Sequence, residues 1–123
     1  MRGRGFTLIE LLVVMTIIAG LLTLAMPRYF QHIERTRESV LRSDLATMRD
    51  AVDKFYSDTG RYPESMQELV TRRYLRKLPV DPITESADSW VVVAPADPKL
   101  GVVYDIRSGA AGTTRDGRPY SEL

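Results

Sequence analysis

The chain has 123 residues, a formal net charge of +1, no cysteine and a single histidine. The near-neutral charge argues against nucleic-acid binding by bulk electrostatics, and the lack of cysteine excludes disulfide bonds and cysteine nucleophiles. Neither a glycine-rich phosphate loop nor a zinc-ligand spacing occurs, so the sequence does not predict an enzyme.

The first predicted element is a short basic leader followed by a long apolar segment. Residues 1–5 read MRGRG, and the run Phe6–Met26 contains one charged residue, Glu10. At about 1.5 Å per residue in a helix, this run is long enough to cross a hydrocarbon core of roughly 30 Å. The sequence therefore predicts a leader at 1–5, a membrane-spanning helix at 6–27, and a globular domain at 28–123 that includes the rest of that helix.

The acid at Glu10 is the most unusual feature of the apolar segment. A carboxylate at membrane depth costs several kcal/mol, so such residues are rare and usually have a positively charged partner. A plain membrane anchor has no use for this acid, nor for a glycine immediately before Phe6. A secretory signal peptide should instead offer a small-x-small cleavage site, for which Ala19-Gly20 and Ala25 are the candidates. The plain membrane anchor and the secretory signal peptide therefore remain alternatives to a segment whose acid is paired in an assembly.

The string GFTLIELLVV, which starts at Gly5, resembles the N-terminal signal of type IV pilins and type II secretion pseudopilins. In that family a prepilin peptidase cuts after the glycine, here Gly5, and the new N-terminal residue, here Phe6, is methylated on its α-amine. The resemblance also implies that Glu10 pairs with the Phe6 amine of a neighbouring subunit.

Gly20 and Pro27 interrupt the apolar half of the predicted helix. Proline removes an amide donor and clashes with the preceding turn, so a kink or a looser turn is expected before Pro27. The family resemblance further implies that the stretch between these two residues melts in assembled fibres.

Beyond Pro27, hydrophobic residues recur at a spacing close to 3.6, which predicts that the helix continues as an amphipathic one. The charges between them indicate a solvated face, with attraction at i,i+4 between Glu38 and Arg42 and between Asp50 and Lys54. The recurring apolar positions are Phe30, Ile33, Val40, Leu41, Leu45, Met48, Val52, Phe55 and Tyr56.

The rest of the chain predicts short elements. Gly60 suits a left-handed position at the end of the helix, and Pro63 prevents its continuation. A short helix is expected over Glu64–Arg72, and two antiparallel strands over Trp90–Val93 and Gly101–Ile106. The side chains expected in the core of these elements are Met66, Leu69, Val70 and Trp90.

Two motifs in the middle of the chain resemble one branch of the superfamily. The string FYSDTGRYP at residues 55–63 is followed by YLRKLPVDP at residues 74–82. Together they resemble the turn and the LP-x-DP loop of the major pseudopilin of type II secretion systems. The resemblance implies an α+β, pilin-like fold, in which a long N-terminal helix packs on a small antiparallel sheet.

The terminal segment from Ser108 to Leu123 predicts a loop. The resemblance implies a calcium site there, built from carbonyls, a serine and two adjacent aspartates, and Ser108 and Asp116 are the matching candidates. Calcium takes six to eight oxygens with carboxylate charge, but this chain has one aspartate where the family has two. A turn at Asp116-Gly117 is equally consistent with the sequence. Alternatively, three arginines form a metal-free loop by pairing with nearby acids. The arginines are Arg107, Arg115 and Arg118, and the candidate acids are Asp105, Asp116 and Glu122.

The function implied by the resemblance is structural. The subunit is expected in the bacterial inner membrane as a single-pass protein with a periplasmic globular domain, polymerising into a helical fibre that pushes proteins through an outer-membrane secretin. The implied partners are copies of itself, minor pseudopilins, the inner-membrane assembly platform and the prepilin peptidase. Alternatives are a type IV pilin, a minor pseudopilin, or a membrane-anchored binding module that does not assemble.

Overall fold

The structure, a computed structural model, describes residues 4–123, which fall into two compact units, residues 4–35 and residues 36–123. Helix α1, Leu8–Thr59, begins in the first unit and ends in the second. The predicted leader lies outside the described residues except for Arg4 and Gly5.

The first unit consists of the apolar part of helix α1. It contains one stretch long and apolar enough to cross a membrane, with a mean hydropathy of 2.5 and none of its side chains buried. The helix runs without a break through Gly20 and Pro27. Loss of helix between these two residues therefore stays a prediction about the assembled state.

The second unit has its core on one face of α1. The side chains of Leu41, Leu45, Met48, Val52 and Phe55 are all fully buried or nearly so, which confirms the predicted spacing over this stretch. Three other apolar positions of the predicted pattern are exposed; they are Phe30, Val40 and Tyr56. Burying each such side chain contributes roughly 1.5–3 kcal/mol, the main favourable term for a domain this small.

The predicted end of α1 is confirmed at Gly60, which has a φ of +76° and donates its N–H to the carbonyl of Tyr56. Helix α2, Met66–Thr71, is shorter than predicted. It begins late because Ser65 acts as its N-cap, with Oγ accepting the N–H of Glu68 at 3.2 Å. Leu69 is fully buried, as expected, while the neighbouring apolar side chains of α2 are partly buried.

The sheet has two antiparallel strands, β1 Val91–Val93 and β2 Asp105–Arg107, with Val91 opposite Arg107. Strand β2 was predicted to begin at Gly101. It begins later because the N–H groups of residues 102 and 103 donate to the carbonyl of Pro63, at 3.1 and 2.9 Å. Short 3₁₀ turns occupy Pro98–Leu100 and Tyr120–Glu122.

Trp90 lies just before β1 and confirms its predicted place in the core. Its side chain is buried, and the indole Nε1–H donates to the carbonyl of Pro79 at 2.8 Å. The indole therefore buries its apolar body with its one polar group satisfied.

We expect Gly101→Ala to destabilise the second unit strongly. Gly101 has a φ of +124°, and a Cβ there would lie 2.2 Å from the carbonyl oxygen of Tyr62. Backbone strain costs about 1–3 kcal/mol and overpacking costs about 1–3 kcal/mol. The two costs should add, and their sum should lower the free energy of unfolding. The control is Gly117→Ala, which has a φ of +81° but open space around a new Cβ. Chemical denaturation in detergent should show the smaller loss for Gly117→Ala, and equal losses would contradict the steric argument.

Candidate functional site

The first turn of α1 is closed by reciprocal hydrogen bonds between Thr7 and Glu10. Thr7 Oγ1 accepts the N–H of Glu10 at 3.1 Å, and Glu10 Oε2 accepts the N–H of Thr7 at 3.3 Å. This is a capping box, which satisfies two of the amide groups that a helix N-terminus leaves without a partner. The carboxylate also lies at the end of the helix where its negative charge is favoured.

This cap gives Glu10 a role inside its own chain. A plain membrane anchor also has a use for this acid, contrary to the expectation from the sequence, because the acid stabilises the helix start within a single chain. The signal was present as T-x-x-E before an apolar run. The presence of Glu10 alone therefore does not separate an assembling subunit from an anchor.

The side chains around Glu10 on this part of the helix are apolar. Glu10, which is exposed, lines an open cavity of about 380 Å³ together with Phe6, Ile9, Val13 and Val14. Within the described residues, Glu10 forms no ion pair, and its Oε1 accepts no hydrogen bond. One oxygen of a carboxylate in an apolar setting is thus available to a cation, and the attraction is strong where water is excluded.

The peptide bond between Gly5 and Phe6 lies just before the helix, in backbone without regular structure. Both residues are exposed, Phe6 by 88 %. Among the described residues, no atom outside the two chain neighbours lies within 4 Å of the position of a Cβ at Gly5. The bond that the resemblance marks for cleavage is accordingly accessible, two residues before the capped turn.

The structure places Ser108 and Asp116, the candidate calcium ligands, in different surroundings. Ser108 is fully buried; its Oγ donates to Asp81 Oδ2 at 2.5 Å and accepts the N–H of Ala110 at 3.1 Å. Asp116 is exposed in a turn closed by the Gly117 N–H on the carbonyl of Thr114. Across residues 4–123 no group of three histidine, cysteine or acidic side chains is suited to a metal. These surroundings do not fit a calcium site.

Asp81 is a buried residue whose role the sequence analysis did not identify. It belongs to the LP-x-DP loop, is fully buried, and accepts the N–H of Ile83 on Oδ1 at 2.8 Å. Burial, and next the charge of Asp81, raise the pKa of Asp44 above its usual value. An aspartate directly before a proline favours a turn, so the pair Asp81-Pro82 was the sequence signal that could have predicted this role.

Comparisons with known proteins match the N-terminal segment and most of the chain. Residues 1–26 match the family described as the prokaryotic N-terminal methylation motif. The chain is 30 % identical to the type II secretion system core protein G of Klebsiella michiganensis, covering 92 % of this chain and 89 % of that relative.

Other relatives are covered less completely. The core protein G of Pectobacterium carotovorum is 31 % identical over 97 residues, which cover 79 % of this chain and 62 % of the relative. The type IV major pilin protein PilA of Myxococcus xanthus is 35 % identical over 68 residues, covering 55 % of this chain and 31 % of the pilin. No solved structure matches the chain.

Proposed function

This chain belongs to the family of the type II secretion system core protein G, and we propose that it is the structural subunit of a secretion pseudopilus. The subunit polymerises from the inner membrane, and the growing fibre drives protein export through an outer-membrane secretin. The observation that carries the proposal is the first turn of α1. The accessible Gly5–Phe6 bond lies just before this turn, and Glu10 lies within it, in an apolar segment of membrane length.

Processing is the first step of the proposed function. A prepilin peptidase cleaves after Gly5, and the freed α-amine of Phe6 is methylated. A methylated amine keeps its positive charge, so processing creates a cation within two residues of the helix start. The capping box survives cleavage, because both of its hydrogen bonds lie within residues 7–10.

Assembly then joins that amine to Glu10 of an adjacent subunit. The available Oε1 of Glu10 supports this pairing, since the cap uses only Oε2. Burial of either charge alone would be strongly unfavourable, whereas the pair is tolerable when the geometry is good. The exposed apolar side chains of the first unit bundle in the fibre core, and melting between Gly20 and Pro27 lets the chain extend.

The proposed location in the cell follows from the same apolar segment of membrane length. The first unit spans the inner membrane once, and the second unit lies in the periplasm. Minor pseudopilins and the inner-membrane assembly platform, driven by a cytoplasmic ATPase, are the further partners of the fibre.

A second candidate function is a type IV pilin, which the match to PilA over 55 % of the chain favours. Processing and helix bundling would be the same, but the fibre would extend from the cell surface. Deleting the gene separates the two candidates: loss of exoproteins from the medium supports a pseudopilus, and loss of surface fibres with normal secretion supports a pilus.

The direct test of processing is mass spectrometry of the protein extracted from membranes. We expect its N-terminus to be Phe6 carrying one extra methyl group, with the five leader residues absent. An N-terminus that begins at Met1, or one produced by cleavage after the apolar segment, would contradict the proposed function.

A further inference from the structure

The terminal segment, defined here as residues 108–123, is the part of the chain where the family resemblance implies calcium and the donor set does not fit it. We propose that the guanidinium groups of Arg49, Arg107 and Arg118 fix this segment in place of a metal ion. The second unit is then stable without calcium.

The three arginines reach the end of the chain from three directions. Arg49 Nη2, on α1, donates to the carbonyl of Leu123 at 3.0 Å. Arg107 Nη1, on β2, donates to the carbonyl of Ser121 at 3.3 Å, and Arg118 Nη2 donates to the carbonyl of Glu122 at 3.2 Å. Main-chain oxygens of three successive residues, 121–123, are therefore held by cationic groups, which is how a calcium ion also gathers main-chain oxygens.

Arg49 is the anchor of this arrangement. Its Nε forms an ion pair with Asp105 Oδ1 at 2.8 Å, and its Nη2 also donates to the carbonyl of Ile106 at 3.0 Å. The planar guanidinium thus joins α1, β2 and the end of the chain through one rigid group. Both partners of the ion pair are about one third exposed, so solvent screens the pair only in part.

Three carboxylates near the terminal segment already accept hydrogen bonds from donors of the chain. Glu38 Oε1, on α1, accepts the N–H of Arg115 at 2.7 Å, and Asp81 holds Ser108. With Asp105 bound to Arg49, these acids stabilise the segment through internal donors.

The charge of the terminal segment gives no net attraction for a metal ion. Its side chains include two arginines and two acids, which sum to zero. Binding of a divalent cation needs several carboxylates that converge on it, and Asp116 is exposed in a turn.

The test compares thermal unfolding of the full chain in detergent, with calcium chloride or with the chelator EGTA. We expect the same Tm in both conditions. A Tm that falls by several degrees in EGTA would overturn the proposal, and loss of that fall in Asp116→Ala would assign the metal to the predicted ligands.

The variants Arg107→Gln and Arg118→Gln test the arginines themselves. Each should lower the Tm by a few degrees and speed hydrogen exchange of the amides in residues 119–123. Arg115→Gln is the matched control, because its side chain makes no hydrogen bond or ion pair within residues 4–123, while its N–H on Glu38 is kept. Equal effects in Arg115→Gln, or unchanged exchange in the other two, would overturn the role of the guanidinium groups. These measurements need no fibre, so they are independent of the proposed function.

Discussion

Glu10→Gln should yield a protein that is cleaved after Gly5 and inserted in the membrane, but that forms no fibres and supports no secretion. Glutamine has nearly the shape of glutamate and preserves the capping box, which accepts either residue at this position. It removes only the negative charge. The Phe6 amine of the neighbouring subunit would then be buried without a counter-charge, a loss of about 3–5 kcal/mol at each contact.

Two further variants separate the charge of Glu10 from its role in the helix cap. Thr7→Ala removes the hydroxyl that accepts the N–H of Glu10 but keeps the charge, at a cost of about 0.5–2 kcal/mol to the first turn. We expect it to assemble, with reduced yield. Glu10→Leu removes both roles and favours the bilayer, so it should be inserted and cleaved but remain unassembled.

The measurements are immunoblotting for cleavage, membrane fractionation, electron microscopy of fibres and an exoprotein assay of the medium. Normal fibres in Glu10→Gln would show that the cap is sufficient and would remove the proposed pairing. Failure of Thr7→Ala together with success of Glu10→Gln would assign the whole effect to the helix start. Either result would contradict the pairing of Glu10 with the Phe6 amine as the contact that drives assembly.

The sequence predicted well those parts of the fold that depend on local spacing. The core positions from Leu41 to Phe55 follow a period of 3.6, and each fully buried position could be read from that period. The left-handed turn at Gly60 likewise depends on one residue and its neighbours. The exposed i,i+4 ion pair between Asp50 and Lys54 is present at 3.0 Å.

The parts that the sequence did not predict depend on residues far apart in the chain. Glu38 was expected to attract Arg42, four residues away, but it accepts the N–H of Arg115, 77 residues away. Asp105 was a candidate partner for the terminal arginines, but it pairs with Arg49. No spacing rule identifies such partners, because they are brought together only when the core has packed.

The capping box at Thr7 and Glu10 was not predicted from the sequence, although its two residues are close in the chain. The pairing of Thr7 with Glu10 spans three residues and carries a recognised sequence signature. The cost of a charge in an apolar segment predicts a partner in another subunit, but it does not predict the hydrogen bond that Glu10 makes within its own helix turn. Both roles are compatible, since they use different oxygens of the same carboxylate.

Gly5→Leu should abolish cleavage and leave a full-length precursor in the membrane. The peptidase must approach the backbone closely at this residue, and only glycine leaves that approach open. We do not expect the effect to come from the fold of the substrate, because within residues 4–123 a Cβ at Gly5 would have no non-neighbouring atom within 4 Å. With the leader retained, the Phe6 nitrogen stays an uncharged amide, so assembly should fail together with cleavage.

Gly20→Ala provides the matched control, because Gly20 also has open space around a new Cβ but lies inside the apolar helix. It should be cleaved normally. A reporter fused after Leu123 checks the orientation, which the basic leader should fix with Arg2 and Arg4 on the cytoplasmic side. Mass spectrometry of each variant gives its N-terminus directly. If Gly5→Leu protein still lost five residues, or if the reporter were cytoplasmic, cleavage at Gly5 would not be the event that prepares the subunit for assembly.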